Sequence, residues 1–431
     1  MRWRIESGLC PRGTTRPPGD KSISHRALLL AAIADGDSRI ANLPAGEDVA
    51  STASCLRQLG CDVTLAAGQA RVRGRGLHGL SAPSGPLDCG NSGTTMRLLA
   101  GILAGQPFTA TLDGDASLRC RPMRRVAEPL RMMGATVQTT AGRAPVSISG
   151  GGLRGVTYDT PVPSAQIKSC VLLAGLYATG ATVLREQRPS RDHTERLLQA
   201  MGAEISGGAA SGGTTVRPPE GLAPLAGSVP GDLSAASFWL VAAALAPRSD
   251  LTLEYVGINP GRFAIVEVLQ SWGADIEVAT GPEWCGEPTA SLRVRGTGQP
   301  LAGGTIRGDL TARLIDEIPV LALLGASTRE GVVVRDGAEL RVKESDRIAT
   351  VAATLAALGG EVDTFDDGLA VPGGQRLRGG VVAAAGDHRI ALAAAAISVC
   401  VTGTVEIDGA EVADISYPGF LPEFMSLGAM A

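Results

Sequence analysis

Lysine is almost missing from this chain. Of 39 basic residues only Lys21, Lys168 and Lys343 are lysines, and arginine serves everywhere else. A lysine therefore marks a place where a guanidinium does not serve, since lysine can give up its proton when desolvated and arginine cannot. Aromatic residues are also scarce, at 3% of 431 residues against 57 glycines, so the chain is built from small side chains and tight connections. It has no large charge of either sign: the net value of −4 argues against nucleic acid or an anionic membrane as the main partner. Any bound anion must be held by a local cluster. Eight cysteines, at 10, 55, 61, 89, 120, 170, 285 and 400, contain no CxxC pair, and four histidines are widely separated. Metal-ligand spacing and a disulfide framework are thereby excluded, and free thiols in a reducing cytoplasm are expected. The longest apolar run, around 390–401, falls short of the ~18–20 residues a membrane span needs. The first ten residues, with Arg2, Arg4 and Glu6, lack the apolar centre of a secretory signal. With 44% hydrophobic residues, wholesale disorder is excluded, and the length suits two or three domains of roughly 100–200 residues.

What is present is repetition. Leu56-Arg-Gln-Leu-Gly60-Cys-Asp-Val63 returns as Leu130-Arg-Met-Met-Gly134-Ala-Thr-Val137, Leu198-Gln-Ala-Met-Gly202-Ala-Glu-Ile205, Leu269-Gln-Ser-Trp-Gly273-Ala-Asp-Ile276 and Leu355-Ala-Ala-Leu-Gly359-Gly-Glu-Val362, with a truncated copy ending at Gly428. Each copy predicts an amphipathic helix stopped by a glycine C-cap, then a strand. A second phrase interleaves with it, a polar cluster opening a helix that is apolar nearly all round. Its copies begin near Ser24, Thr94, Ala165, Ser234, Leu314 and Asp387. A helix without a polar face must be buried inside a domain. Six units of about 70 residues thus predict α/β layers with helices inside and sheets outside. Two globular halves of three units fit better than an open solenoid, whose atypical capping repeats are missing. The Gly/Pro-rich stretch 218–231 is the expected crossing between halves.

If the six buried helices run in one sense, their N-termini converge, each with partial positive charge and free N–H donors that suit phosphate and carboxylate. The residues placed there are Lys21, Ser22 and Arg26; Asn91, Gly93, Thr94 and Arg97; Ser164, Gln166 and Lys168; Asp316 and Glu317; and Asp387, His388 and Arg389. Between units lie Arg119, Arg121, Ser190, Arg191, His193, Lys343, Glu344, Asp346 and Arg347. All three lysines belong to this set. Many cations, hydroxyls and amides with a few acids suit a substrate pair carrying several negative charges, with the acids available for proton transfer. Singly, the motifs say little: Asn91-Ser-Gly-Thr-Thr reads equally as an ordinary N-cap, and 85–90 matches neither a P-loop nor GxGxxG. Their repeated placement carries the signal.

Several strings are specific: Pro18-Gly-Asp-Lys21-Ser-Ile-Ser-His-Arg26-Ala, Gly90-Asn-Ser-Gly-Thr-Thr-Met-Arg97, Gly114-Asp-Ala-Ser-Leu-Arg-Cys-Arg121-Pro-Met, Ser164-Ala-Gln166-Ile-Lys168-Ser, Ser190-Arg-Asp-His-Thr-Glu195, Arg341-Val-Lys-Glu-Ser-Asp-Arg347 and Asp387-His-Arg389. In order and over nearly the whole chain, they resemble the EPSP synthase family of enolpyruvyl transferases. The resemblance implies an inside-out α/β barrel in two domains, 18–228 and 1–17 with 229–431. Each would hold three βαβαββ repeats with parallel buried helices, the two being joined by two crossovers with the site in the cleft. It implies transfer of the enolpyruvyl group of phosphoenolpyruvate to the 5-hydroxyl of shikimate 3-phosphate, releasing phosphate, in chorismate and aromatic amino acid biosynthesis. No cofactor and no metal are expected, nor is a nucleic-acid or membrane partner. A cytoplasmic monomer inhibited by glyphosate is.

Carried onto this sequence, the resemblance implies Lys21, Asp316 and Glu344 as catalytic. Shikimate 3-phosphate would meet Lys21, Ser22, Arg26, Ser164, Ala165, Gln166, Ser190, Arg191, Asp316 and Lys343. Phosphoenolpyruvate would meet Lys21, Asn91, Gly93, Thr94, Arg121, Gln166, Arg347 and Arg389, the planar guanidiniums matching its anionic groups in pairs. Three positions depart from the family's pattern. Ala165 stands where some members have a second serine. The run Ala413-Asp-Ile-Ser-Tyr-Pro418 lacks the lysine some members carry there, and Arg191 is additional, placed to compensate near the shikimate phosphate. Two alternatives stay open. The related transferase acting on UDP-N-acetylglucosamine uses a loop cysteine five residues before an Arg-Pro pair, where this chain has Ala116, with Cys120 out of register. A non-catalytic anion-binding scaffold would have no need of Glu344 or Asp316.

Overall fold

A computed structural model describes residues 1–208 and 213–428. The chain forms two compact units, Gly19–Val229 with the short segment Glu283–Glu287, and Met1–Pro18 with Pro230–Pro282 and Pro288–Ala431. The backbone passes between them at Pro18/Gly19 and at Val229/Pro230, the latter inside the Gly/Pro-rich 218–231 stretch, and leaves the second unit once more for Glu283–Glu287. Each unit has its own apolar core.

In each unit three helices lie inside and sheets lie outside. The core helices of the first unit are Lys21–Ala32, Gly93–Ala104 and Ala165–Gly175; those of the second are Leu233–Leu245, Ile318–Gly325 and His388–Ile397. From Ile23 to Ala32 and from Leu233 to Ala244 every residue is buried, as expected of helices with no polar stripe. Five of the six start on an Asp or Ser N-cap whose side chain accepts from the first turn: Asp20, Ser92, Ser164, Asp232 and Asp387. The Ile318–Gly325 helix instead follows Asp309–Leu314 closely and has no side-chain cap.

The leucine–glycine phrase closes the amphipathic helices in one way each time. The N–H after the glycine donates back to the carbonyl of the phrase's leucine: Cys61 to Leu56 at 3.0 Å, Ala135 to Leu130 at 3.0 Å, Ala203 to Leu198 at 2.9 Å, Ala274 to Leu269 at 2.9 Å and Gly360 to Leu355 at 2.7 Å. Such a six-to-one bond needs a left-handed residue between, and φ at Gly134 is +112°.

The sheets repeat one plan. Leu87–Asp88 runs parallel to Thr109–Asp113 across a core helix; Thr109–Asp113 pairs antiparallel with Arg143–Ser149, which pairs with Thr136–Thr140. The plan breaks at the crossings. Arg12–Thr15, just ahead of the first core helix, pairs with Asp250–Gly257 of the second unit, whereas Ala226–Ser228 pairs parallel with Asp37–Ala41 of the first. The last sheet has three strands, and its third, Arg2–Ile5, comes from the chain start to pair with Thr402–Asp408. Among the described residues no sheet closes on itself into a barrel, and no helix is long and apolar enough to cross a membrane.

Candidate active site

In the first unit, side-chain bonds stitch the first turns of the three core helices together, so their N-termini face the same way. Gln166 Nε2 donates to Thr94 Oγ1 at 2.9 Å, and Arg97 Nη1 donates to Gln166 Oε1 at 2.5 Å. Arg26 Nε donates to Thr194 Oγ1 and Nη2 to Ser169 Oγ, both at 2.8 Å, while Nη1 donates to the Ser22 carbonyl at 2.7 Å. A buried chain of bonds runs from His25 Nδ1 to Thr52 Oγ1, on to Thr95 Oγ1 and to the Ser92 hydroxyl that caps the second core helix. Burial pushes the His25 imidazole down to about 3, so this ring is neutral at ordinary pH.

Lys21 opens the first core helix and pairs with Asp48 at 2.9 Å. Burial opposes ionisation of Asp48, but the charge and hydrogen bond of Lys21, helped by neighbouring groups including Arg121, together outweigh it and hold the carboxyl below its usual range. Asp48 was not visible as a site residue in the sequence. Its only signal is an acid on the buried face of an amphipathic helix, Glu47–Gln58. Gly93 is the first residue of the second core helix, and Asn91 stands just before the cap. A Cβ on Gly93 would lie 3.0 Å from Arg97 Nη1 and 3.4 Å from Arg121 Nη1, so two guanidiniums border the helix N-terminus here. Ser164 caps the third core helix and Ala165 begins it without a side-chain donor. Arg26 is only 3% exposed and held by three neutral oxygens; burial lowers it to about 10, with Glu195 and Asp20 pulling the other way. Ser190 and Arg191 lie half-buried on the loop before the helix His193–Ala200.

The second unit repeats the stitching with other residues. Arg389 Nη1 donates to Ser234 Oγ at 2.5 Å and to the Asp316 carbonyl at 3.0 Å, and the Ser234 hydroxyl donates to Glu317. The remaining expected residues form one ion cluster. Arg347, 1% exposed, donates from Nε to Asp387 Oδ2 at 2.9 Å, from Nη2 to Glu344 Oε2 at 2.6 Å and from Nη1 to Asp316 Oδ1 at 3.5 Å. Lys343 Nζ stands 3.8 Å from Asp316 Oδ1 and Arg262 4.0 Å from Oδ2. Burial acts against the Glu344 charge, yet Arg347, His388 and Arg389 more than offset it and hold this carboxyl down at about 2. Burial likewise acts against Arg347, and Asp387, Glu344 and Asp316 reverse it, so the guanidinium stays charged. Three carboxylates, Asp387, Glu344 and Asp316, share Arg347, and an incoming anion must compete with Glu344 for it.

Each unit thus gathers cations around the N-termini of its core helices, with carboxylates paired to them. Comparison with known proteins gives this arrangement a lineage. The family model for EPSP synthase (3-phosphoshikimate 1-carboxyvinyltransferase) matches residues 10–424. The 3-phosphoshikimate 1-carboxyvinyltransferase of Synechococcus sp. (strain JA-3-3Ab) is 49% identical over 422 residues, covering 96% of this chain and 94% of that protein. That of Gloeobacter violaceus is 51% identical over 408 residues, 93% of each. The solved EPSP synthase of Acinetobacter baumannii superposes with a TM-score of 0.90 at 38% identity, covering 99% of this chain and 98% of that one. With a matching model across nearly its whole length, relatives at half identity and the same fold, the chain belongs to the EPSP synthase family.

Proposed function

We propose specific roles for these side chains in the reaction that family membership gives the chain, transfer of the enolpyruvyl group of phosphoenolpyruvate to the 5-hydroxyl of shikimate 3-phosphate. In the addition half, C3 of the enol takes a proton, the hydroxyl oxygen attacks C2 and loses its proton, and a tetrahedral ketal phosphate forms. In the elimination half, C3 loses a proton, the C2–O bond to phosphate breaks and inorganic phosphate leaves. Lys21, Asp316 and Glu344 are the groups assigned to these proton movements. Asp316 accepts from the attacking hydroxyl, Lys21 serves the bridging oxygen and Glu344 serves C3.

The observation that carries this reading is the Arg347–Glu344 pair at 2.6 Å within the Asp316–Asp387 cluster. Held ionised by Arg347, Glu344 is ready to accept the C3 proton. Before it can deliver one in the addition half it must first be protonated. An anion taken up by Arg347 favours that, because it draws off the guanidinium and adds negative charge nearby. Phosphoenolpyruvate is assigned to Arg121, Arg347 and Arg389, with Lys21, Asn91, Gly93, Thr94 and Gln166. Shikimate 3-phosphate is assigned to Ser22, Arg26, Ser164, Ala165, Ser190, Arg191 and Lys343, with Lys21, Gln166 and Asp316. The guanidiniums of Arg97 and Arg121 bordering Gly93 support glyphosate, an anion, as an inhibitor at the phosphoenolpyruvate position. Eight free cysteines support a reducing, cytoplasmic setting, and we take the working form to be a monomer.

Phosphate release assayed with both substrates tests the reading. Release should require phosphoenolpyruvate and shikimate 3-phosphate together. Release with UDP-N-acetylglucosamine in place of the shikimate ester, or none with either acceptor, would overturn it.

A further inference from the structure

Lys168 lies on the third core helix and is 3% exposed. An ammonium carries three N–H donors and no acceptor. Its Nζ has three oxygens around it: Glu195 Oε1 at 2.8 Å, Glu186 Oε2 at 3.0 Å and the Ser190 backbone carbonyl at 3.0 Å. A flat guanidinium cannot direct its donors in such a tripod, which is a physical reason for lysine here in a chain that otherwise uses arginine. The arrangement is also costly. Two buried carboxylates face one ammonium, and burial pushes the Glu195 carboxyl up against the pull of Lys168.

That cost secures the conformation of one residue. Glu186 Oε2 also accepts from the Ser190 backbone N–H at 3.3 Å. Both backbone polar groups of Ser190 are therefore held by the same buried ion pair, one by each partner. The Ser190 side chain is left unused: its Oγ is shielded from solvent and has no hydrogen-bond partner among the described residues. A buried hydroxyl without a partner is uncommon, and points to a group for an absent ligand. We infer that Lys168, with Glu186, is a positioning residue that aims the Ser190 hydroxyl at the phosphate of the acceptor substrate. Lys168 acts only through Ser190 and touches neither substrate. The inference rests on the assignment of Ser190 to shikimate 3-phosphate made above.

A double-mutant cycle tests it, with shikimate 3-phosphate binding read by calorimetry on the intact chain. Ser190→Ala removes the aimed hydroxyl and should weaken binding roughly tenfold, the usual scale for one hydrogen bond to a charged group. Lys168→Arg should weaken it by a similar factor alone, and by less than about twofold in the Ser190→Ala background, since there is then no hydroxyl to aim. The KM for phosphoenolpyruvate should stay within about twofold in every variant. If Lys168→Arg does not fold, Lys168→Met with Glu186→Gln preserves volume and net charge while removing the donor to the Ser190 carbonyl and the ion pair that fixes its N–H acceptor, and the same non-additivity with Ser190→Ala is expected. Additive losses would overturn the inference and leave the function reading intact. Failure of the unmodified chain to bind shikimate 3-phosphate would overturn that reading, and the inference with it.

Discussion

Gly93 opens the second core helix without the positive φ that would demand glycine, so an alanine there meets no backbone strain. Helix propensity favours alanine by at most about 1 kcal/mol, and by less in a first turn. The obstacle is a guanidinium. The new Cβ would stand 3.0 Å from Arg97 Nη1, which must retreat by a few tenths of an ångström, and 3.4 Å from Arg121 Nη1, at ordinary van der Waals distance. Arg121 is the freer of the two. Arg97 is tied by Nη1 to Gln166 at 2.5 Å and by Nη2 to the Pro122 carbonyl at 3.3 Å, so its retreat also disturbs Gln166 and, through it, Thr94. Misaligning charge-assisted bonds on this scale costs about 1–2 kcal/mol, or roughly 5- to 30-fold in affinity. Gly93→Ala should therefore leave the melting temperature unchanged or raised by up to about 2 °C, while KM for phosphoenolpyruvate rises roughly tenfold. Glyphosate, the longer anion, should lose more than that. Thermal melts, initial rates at saturating shikimate 3-phosphate and an inhibition series measure all three. Equal loss of substrate and inhibitor, together with a melting temperature several degrees lower, would show that the methyl disturbs core packing and that the pocket argument is wrong.

Glu344→Gln should cut turnover by roughly 10²- to 10⁴-fold with little change in either KM, as removal of a proton carrier does; near-normal turnover would remove Glu344 from the chemistry. Because its folded value of about 2 lies below the ordinary 4.5, the Glu344 charge contributes stability that is complete above about 4.5 and is lost as pH falls towards 2. Urea midpoints should therefore show the unmodified chain's advantage over Glu344→Gln shrinking between pH 5 and 3, and a constant gap would contradict the Arg347 pairing. Arg347→Met leaves Asp387, Glu344 and Asp316 without their shared cation and should cost about 3–5 kcal/mol in urea unfolding, whereas a loss under 1 kcal/mol would mean water already screens the cluster. Lys21→Arg keeps the charge beside Asp48 but cannot readily release a proton, so most turnover should go while shikimate 3-phosphate affinity stays within roughly tenfold. Lys168→Arg should be much milder on turnover, and equal small losses at both lysines would deny Lys21 its proton-transfer role.

Short-range signals in the sequence determined the parts of this protein. The leucine–glycine phrase specifies its own helix stop, because donor, acceptor and left-handed residue all fall within six positions, as from Leu56 to Cys61. Asp20, Ser92 and Ser164 announce helix starts for the same reason, since the cap and the N–H it accepts are three residues apart. The core helices declare their burial by lacking a polar face, and their recurrence placed Lys21, Gly93, Gln166 and Arg389 at helix N-termini. Pairings over long sequence separations were decided only in three dimensions. Arg12–Thr15 has no local mark that sends it to Asp250–Gly257 and not to the repeat that follows it, because a four-residue strand pairs equally well with any matching edge until the whole unit packs. Charge partners are of the same kind. Nothing near Lys21 in the chain names Asp48, and nothing near Lys168 names Glu186. An ion pair is selected by burial, which removes the water that would otherwise satisfy both charges, and burial belongs to the folded unit.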